Sequence, residues 1–339
     1  MSKNQIKTKP ELFVQISKFL EKELKKTDAI IVAEGKGKAS LIGNITDHLV
    51  LSGGKRVRPI ITILGAKICG YKTGNRHCNL AAVVELIHTA TLLHDDVVDD
   101  SSLRRGKKTA NAVWGNKASI LVGDYLLSVA FQLMVKDGSL DVLDILSSTS
   151  KGMADGEVMQ LMNSNDISIS EKKYLEIVRA KTAILFAAAS QIGSIITNSG
   201  DKKKKALKDF GNNLGVSFQI MDDVLDYSAK QRTLGKSIGD DFYEGKVTLP
   251  MIITYENANK KDKARLKEIF SNNLISNEKD EKSFLEVLAL MKKYNALEST
   301  KNKALEYKSK AKKNLSIFPN SIEKQLLIDI LEYSVSRKN

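Results

Sequence analysis

The stretch VVELIHTATLLHDDVVDD, residues 83–100, sets an apolar helical run directly against four carboxylates, Asp95, Asp96, Asp99 and Asp100. Its apolar residues recur three and four positions apart, the period of a helix with a buried face. On such a helix carboxylates four apart repel by roughly 0.2–0.5 kcal/mol per pair, so a ligand that offsets the repulsion is expected. A second copy stands far along the chain. FQIMDDVLDY, residues 218–227, repeats the Asp-Asp-x-x-Asp spacing with Asp222, Asp223 and Asp226 after another apolar run. The first and fifth positions of each motif share a helix face, and two such helices facing each other would form an all-carboxylate cage. Hard oxygen ligands suit magnesium, which keeps several waters and bridges one or two carboxylates to substrate phosphates.

Outward from these motifs the helical period recurs in ELFVQISKFLEKELKK (11–26), SILVGDYLLSVAFQLMVKD (119–137) and EKKYLEIVRAKTAILF (171–186). Turn-rich breaks fall at 136–141 and 163–170, and Ser170 is placed to cap the helix that follows. The only prolines are Pro10, Pro59, Pro250 and Pro319, so long helices are permitted. No run of alternating strands is visible. The expected fold is all-α, a single large helical bundle with a central active-site cavity. With no Pro/Ser-rich linker, 1–339 reads as one domain, with its motifs between about 40 and 255 and Lys-rich helices over 256–339. Residues 182–200, TAILFAAASQIGSIITNSG, carry no formal charge and approach membrane-spanning length. Ser190, Gln191, Ser194, Thr197 and Asn198 within them point instead to a buried bundle helix.

A formal net charge of +13 invites a nucleic-acid partner. The lysines are nevertheless spread along solvated helix faces, with no zinc-ligand spacing and no aromatic stacking strip, so a small polyanionic substrate fits better. Cys69 and Cys78 have no Cys-x-x-Cys spacing and suit a reducing compartment. MSKNQIKTKPELF lacks the apolar core of a signal peptide, and a cytoplasmic location is expected.

Basic residues recur near the acidic motifs. SGGKRVRP (52–59) carries Lys55, Arg56 and Arg58, and Arg104 and Arg105 follow the first motif. Guanidinium forks match diphosphate oxygens. In KQRTLGKSIGDDFYEGK (230–246), Gly235, Gly239 and Gly245 surround Lys236 and Lys246 as hinges of an expected mobile lid. Glu85 and His88 have the Glu-x-x-His spacing of di-iron bundles, which need it twice. His48, His77 and His94 follow Ile45, Gly74 and Thr91 at that offset, so no second copy exists. His77–Cys78 reads as a loop. Glu157 and Gln160 share a helix face without an evident role.

Through GGKRVRP, HDDVVDDSSLRRGK, the Lys181–Thr182 pair of RAKTAILF, FQIMDDVLDY and LGKSIGDDFYEGKVTLP, in that order, the chain resembles the trans-type isoprenyl diphosphate synthases. The resemblance implies the isoprenoid-synthase bundle and a prenyltransferase that condenses isopentenyl diphosphate head-to-tail onto an allylic diphosphate. It implies that Asp95, Asp99 and Asp222 ligate magnesium, three ions with the allylic diphosphate bound, supported by Asp96, Asp223 and Asp226. Arg104, Lys181, Thr182, Gln219, Lys236 and Lys246 would contact the allylic diphosphate. Lys55, Arg58, His88 and Arg105 would bind that of isopentenyl diphosphate. A homodimer, no nucleic acid and transient membrane contact for product release are implied with it. Terpene cyclases usually replace the second acidic motif, which is intact here. A non-catalytic partner subunit tends to lose these motifs.

Relatives with short products place bulky aromatics four or five residues before the first motif. Here Thr91 and Ala90 occupy those positions and Ile87 lies roughly 12 Å from Asp95. A long product is therefore expected, octaprenyl-sized from farnesyl diphosphate for a quinone side chain, with Met134 on a neighbouring helix as part of the floor. A geranylgeranyl or other shorter-chain synthase stays open as the alternative.

Overall fold

The computed structural model describes residues 9–51, 54–104, 106–228, 239–273 and 280–336. Helices α1 (Lys9–Phe19), α2 (Glu21–Glu34) and α3 (Ser40–Leu51) lead into α4 (Val57–Ile68) and α5 (Arg76–Val98). A hairpin of two-residue strands, β1 (Leu103–Arg104) and β2 (Lys107–Lys108), pairs antiparallel with Leu103 opposite Lys108. Next come α6 (Ala110–Trp114), α7 (Asn116–Asp137), α8 (Leu140–Met162), α9 (Glu171–Val178), a π-helical turn (Arg179–Ala183), α10 (Ile184–Ile196) and α11 (Asp201–Asp226). The chain closes with α12 (Asp240–Tyr243), α13 (Leu249–Asn257), α14 (Lys260–Asn273), α15 (Glu281–Lys293), α16 (Ala296–Asn314) and α17 (Ile322–Ser336). The all-α expectation holds, and Ser170 caps α9 by accepting the Lys173 backbone N–H at 3.2 Å.

The 23-residue α5 is buried around most of its circumference, from Leu80 through Leu93. A helix that is apolar on every side must lie inside a bundle. The uncharged stretch after Lys181 forms α10, buried from Leu185 to Ser194. Its hydroxyls are satisfied within the protein: Ser190 Oγ donates to the carbonyls of Phe186 and Leu207, both at 2.8 Å. Around α10 the helices approach backbone to backbone. A Cβ on Gly193 would sit 2.1 Å from the carbonyl carbon of Gly65 in α4, and one on Gly211 of α11 would sit 2.3 Å from the Phe186 carbonyl oxygen.

His77–Cys78 departs from the loop expectation. Both open α5 and both are buried, with the His77 Nε2 to Cys78 Sγ distance at 3.6 Å. The polar pair lies against α2, whose Thr27 reaches the Cys78 carbonyl at 3.5 Å, so tertiary packing overrides the local loop signal of the preceding Gly74.

Helix directions decide where the chemistry sits. Ser119 at the start of α7 donates to the Leu93 carbonyl near the end of α5, while Arg76 at the start of α5 pairs with Asp137 at the end of α7. The two helices are thus antiparallel. The C-terminal ends of α5, α8 and α11 meet at one end of the bundle, around one cavity.

Candidate active site

That cavity, about 230 Å³, takes Asp95 from α5, Asp99 from just past its end, and Asp222, Asp223 and Asp226 from α11. Helix C-termini carry partial negative charge, so acidic residues there are doubly disfavoured unless cations gather. The structure supplies several. Lys246 pairs with Asp99 at 2.8 Å and with Glu244 at 2.7 Å. Burial pulls the Lys246 pKa down, but Glu244, Asp99 and Asp241 outweigh it and hold the ammonium well above its ordinary value. Burial pushes Asp95 up to about 6, opposed by Lys181 and reinforced by Glu157 and Asp99.

The acids divide into two roles by environment. Asp222 is exposed and Asp95 and Asp99 are partly so, and all three line the cavity. Asp96, Asp223 and Asp226 are buried and bonded to protein. Asp96 Oδ1 accepts from Arg104 Nε and Nη2, each at 2.8 Å, while its Oδ2 is buried without a hydrogen-bond partner. The β1–β2 hairpin brings Arg104 back onto the motif it follows. Asp223 accepts from the Tyr174 hydroxyl and from Gln219 Nε2 at 2.9 Å. Burial and then Asp241 push it up to about 8, although Tyr174 and Gln219 oppose the rise. Asp226 receives the Asp241 backbone N–H at 3.2 Å, which ties α11 to the start of α12.

Among the described residues no three Asp, Glu, His or Cys side chains converge on one point. A hard divalent cation held by Asp95, Asp99 or Asp222 would therefore complete its shell with waters and ligand oxygens, the habit of magnesium.

Lys181 and Thr182 enter the cavity from the π turn between α9 and α10. Such turns mark functional positions more often than chance. This one is clamped on both sides: a Cβ on Gly156 of α8 would sit 2.6 Å from the Lys181 backbone nitrogen, and one on Gly215 of α11 would sit 2.6 Å from Ala183 Cα. Thr182 donates to Gln219 at 3.1 Å.

A second, smaller cavity of about 40 Å³ adjoins the first through Leu92 and Arg104 and is lined by Arg56, Glu85, His88 and Asp96. Arg58 meets His88 Nε2 at 3.0 Å and stacks on the Phe186 ring at 4.4 Å. Arg56 bonds Glu85 at 2.7 Å and Asp28 at 3.2 Å. Glu85 and His88, the Glu-x-x-His pair, are thus each engaged by an arginine of the GGKRVRP segment. Lys55 reaches the Tyr333 hydroxyl of α17 at 2.5 Å, and neither Lys55 nor Arg58 is part of the wall of this smaller cavity, whereas His88 is.

Comparison with known proteins agrees. Residues 39–288 match the polyprenyl synthetase family. The chain belongs to that family. An octaprenyl diphosphate synthase from Haemophilus influenzae is 42% identical over 323 residues, 95% of this chain and 96% of that protein. A polyprenyl synthase from Caulobacter crescentus, crystallised with calcium and isoprenyl diphosphate, is 40% identical with a TM-score of 0.91, covering 96% of this chain and 98% of that one. A decaprenyl diphosphate synthase from Rhodobacter capsulatus is 39% identical with a TM-score of 0.89, covering 95% and 98%. As a polyprenyl synthetase the protein is a prenyltransferase with the all-α isoprenoid-synthase fold.

The synthetase cavity gathers Asp95, Asp99, Arg104, Lys181, Thr182, Gln219, Asp222, Asp223, Asp226 and Lys246. Arg105 and Lys236, with Gly235 of the expected lid, lie outside the described residues. The chain-length residues are placed differently from the cavity wall: Ile87, Ala90 and Met134 are packed in the main apolar cluster and Thr91 is half-buried. Four residues were not singled out in the sequence. Tyr174 bonds Asp223, and Asp240, Asp241 and Glu244 add acid to the wall. The Asp-Asp of GDDFYEGK was a visible signal for the last group, whereas nothing local marks Tyr174.

Proposed function

We propose that this protein is a long-chain trans-polyprenyl diphosphate synthase that adds isopentenyl diphosphate to an allylic diphosphate, building an octaprenyl-sized chain from farnesyl diphosphate for a quinone side chain, in a reducing cytoplasm. The observation that carries the reading is the meeting of Asp95 and Asp99 with Asp222 at one cavity, adjoined by a smaller cavity that His88 lines, with Arg58 bonded to His88 at 3.0 Å. The similarity to the Haemophilus octaprenyl synthase supports it.

Asp95, Asp99 and Asp222 would hold magnesium, which when bound neutralises charge on a departing diphosphate. Lys181, Lys246 and Arg104 would orient that diphosphate, with Arg104 sharing its fork with Asp96. Lys55, Arg58 and His88 would hold the second substrate in the adjoining site. The allylic C–O bond breaks with its electron pair on pyrophosphate, the double bond of isopentenyl diphosphate attacks the resulting cation, and the proton shed passes to the released pyrophosphate. Leu92, Ile177 and Val178 give the cation apolar walls that exclude water.

Incubation with farnesyl diphosphate, labelled isopentenyl diphosphate and magnesium tests the reading, with product length resolved by chromatography. An octaprenyl-sized product is expected, and Ala90→Phe should shorten it because the ring would block the path beneath Asp95. The close packing of Ile87, Ala90 and Met134 favours a shorter product as the second reading. Thr91→Phe, at a half-buried position, repeats the test with less crowding. Unchanged product length in both variants would rule out the path along α5.

We infer a homodimer as well. The long apolar helix α7 is only about two-fifths buried along its most apolar stretch. Leu121 on α7 and Leu161 and Met162 on α8 are 67%, 64% and 79% exposed, apolar side chains that a second copy of the chain would cover. Sedimentation velocity checks this, and a monomer at micromolar concentration refutes it.

A further inference from the structure

Glu157 has no place in the wall of the cavity, yet it makes one of the shortest ion pairs in the protein. Its carboxylate lies 2.5 Å from Lys181 Nζ, and Gln160 Oε1 takes the same ammonium at 2.7 Å. Lys181 and Gln160 line the cavity and Glu157 does not. The ammonium therefore bridges the cavity and an acid behind it. The spacing is not adjustable by backbone drift, because Gly156 meets the Lys181 turn with no room for a Cβ. A side chain one residue from that contact has its origin fixed relative to Lys181.

Resting on the diphosphate reading above, we propose that Glu157 is a positioning residue that competes with a bound diphosphate for the Lys181 ammonium and so hastens pyrophosphate release. A diphosphate that recruits Lys181 must compete with Glu157 for the ammonium and also enters the field of an extra negative charge. Both effects weaken binding of any diphosphate. Each condensation leaves one pyrophosphate behind, so a long product requires that it depart many times. Gln160 acts differently, since a neutral amide orients Lys181 without competing as an anion.

Isothermal calorimetry with inorganic pyrophosphate in excess magnesium tests the idea without turnover. Glu157→Gln keeps a hydrogen-bond acceptor and removes the charge, so the pyrophosphate Kd should fall by about tenfold, the order expected for one charge at a partly shielded site. Glu157→Asp restores the charge and should return the Kd toward wild type. In steady state Glu157→Gln should lower the KM for farnesyl diphosphate and kcat together. A residue that merely held the turn in shape would weaken binding when changed. Unchanged or weaker pyrophosphate binding in Glu157→Gln, or an Asp variant that behaves like the Gln variant, overturns the proposal. Failure of the wild-type protein to bind pyrophosphate would instead overturn the diphosphate reading on which it rests.

Discussion

Asp95→Asn is expected to lower kcat/KM for condensation by at least 10²-fold, the usual cost of losing one positioned stabiliser of developing charge. The substitution preserves size and one acceptor, so packing is little affected; only the charge goes. Asp95 is where that charge matters most, for it opens on the cavity beside Lys181 and Asp99. Two controls separate charge from architecture. Asp100→Asn, at an exposed position outside the cavity wall, should leave the rate within about twofold of wild type, as isolated surface charges do. Asp96→Asn should act through Arg104, whose fork it holds at 2.8 Å, and raise the KM for the allylic substrate more than it lowers kcat. Steady-state assays with each substrate varied resolve all three, and an Asp95→Asn enzyme within threefold of wild type refutes the role.

What the sequence made legible follows from periodicity. The two acidic motifs were readable because apolar residues three and four apart fix the helices, and Asp-Asp-x-x-Asp then fixes which carboxylates share a face. The same logic identified α10 as interior, since Ser190 and Gln191 need partners that a bilayer would not provide. Pairings between distant segments were not readable. Tyr174 and Asp223 are 49 positions apart and meet only because α9 packs beside α11. The π turn at Arg179–Ala183 is not legible in the sequence because no residue type inside it marks it, and the glycines that pack against it, Gly156 and Gly215, lie on other helices. The shared helix face of Glu157 and Gln160 is legible in the sequence, but their partner Lys181 is not, since it lies on another element.

Glu85→Ala is expected to cost about 3 kcal/mol of stability, near the lower bound for breaking a buried ion pair. Arg56 and Glu85 retain 16% and 8% side-chain exposure, and the Asp28 carboxylate that also reaches Arg56 is 46% exposed. Removing Glu85 takes away the better-buried of these two carboxylates and keeps the one that water screens. The backbone amplifies the loss. Arg56 sits at φ 49°, a left-handed conformation costing a non-glycine residue about 1 kcal/mol, and it does so immediately before α4. The ion pairs to α5 and α2 hold that conformation in place. Once they weaken, the segment can relax, moving Arg58 off His88 and Lys55 off Tyr333. Thermal unfolding should shift down by several degrees. In the same variant the KM for isopentenyl diphosphate should rise while that for the allylic substrate changes little, since Glu85 lines only the smaller cavity. Glu85→Gln, which keeps an acceptor for Arg56, should recover part of both losses. A stability loss with both KM values untouched would show that the pair supports the fold without shaping the second substrate site.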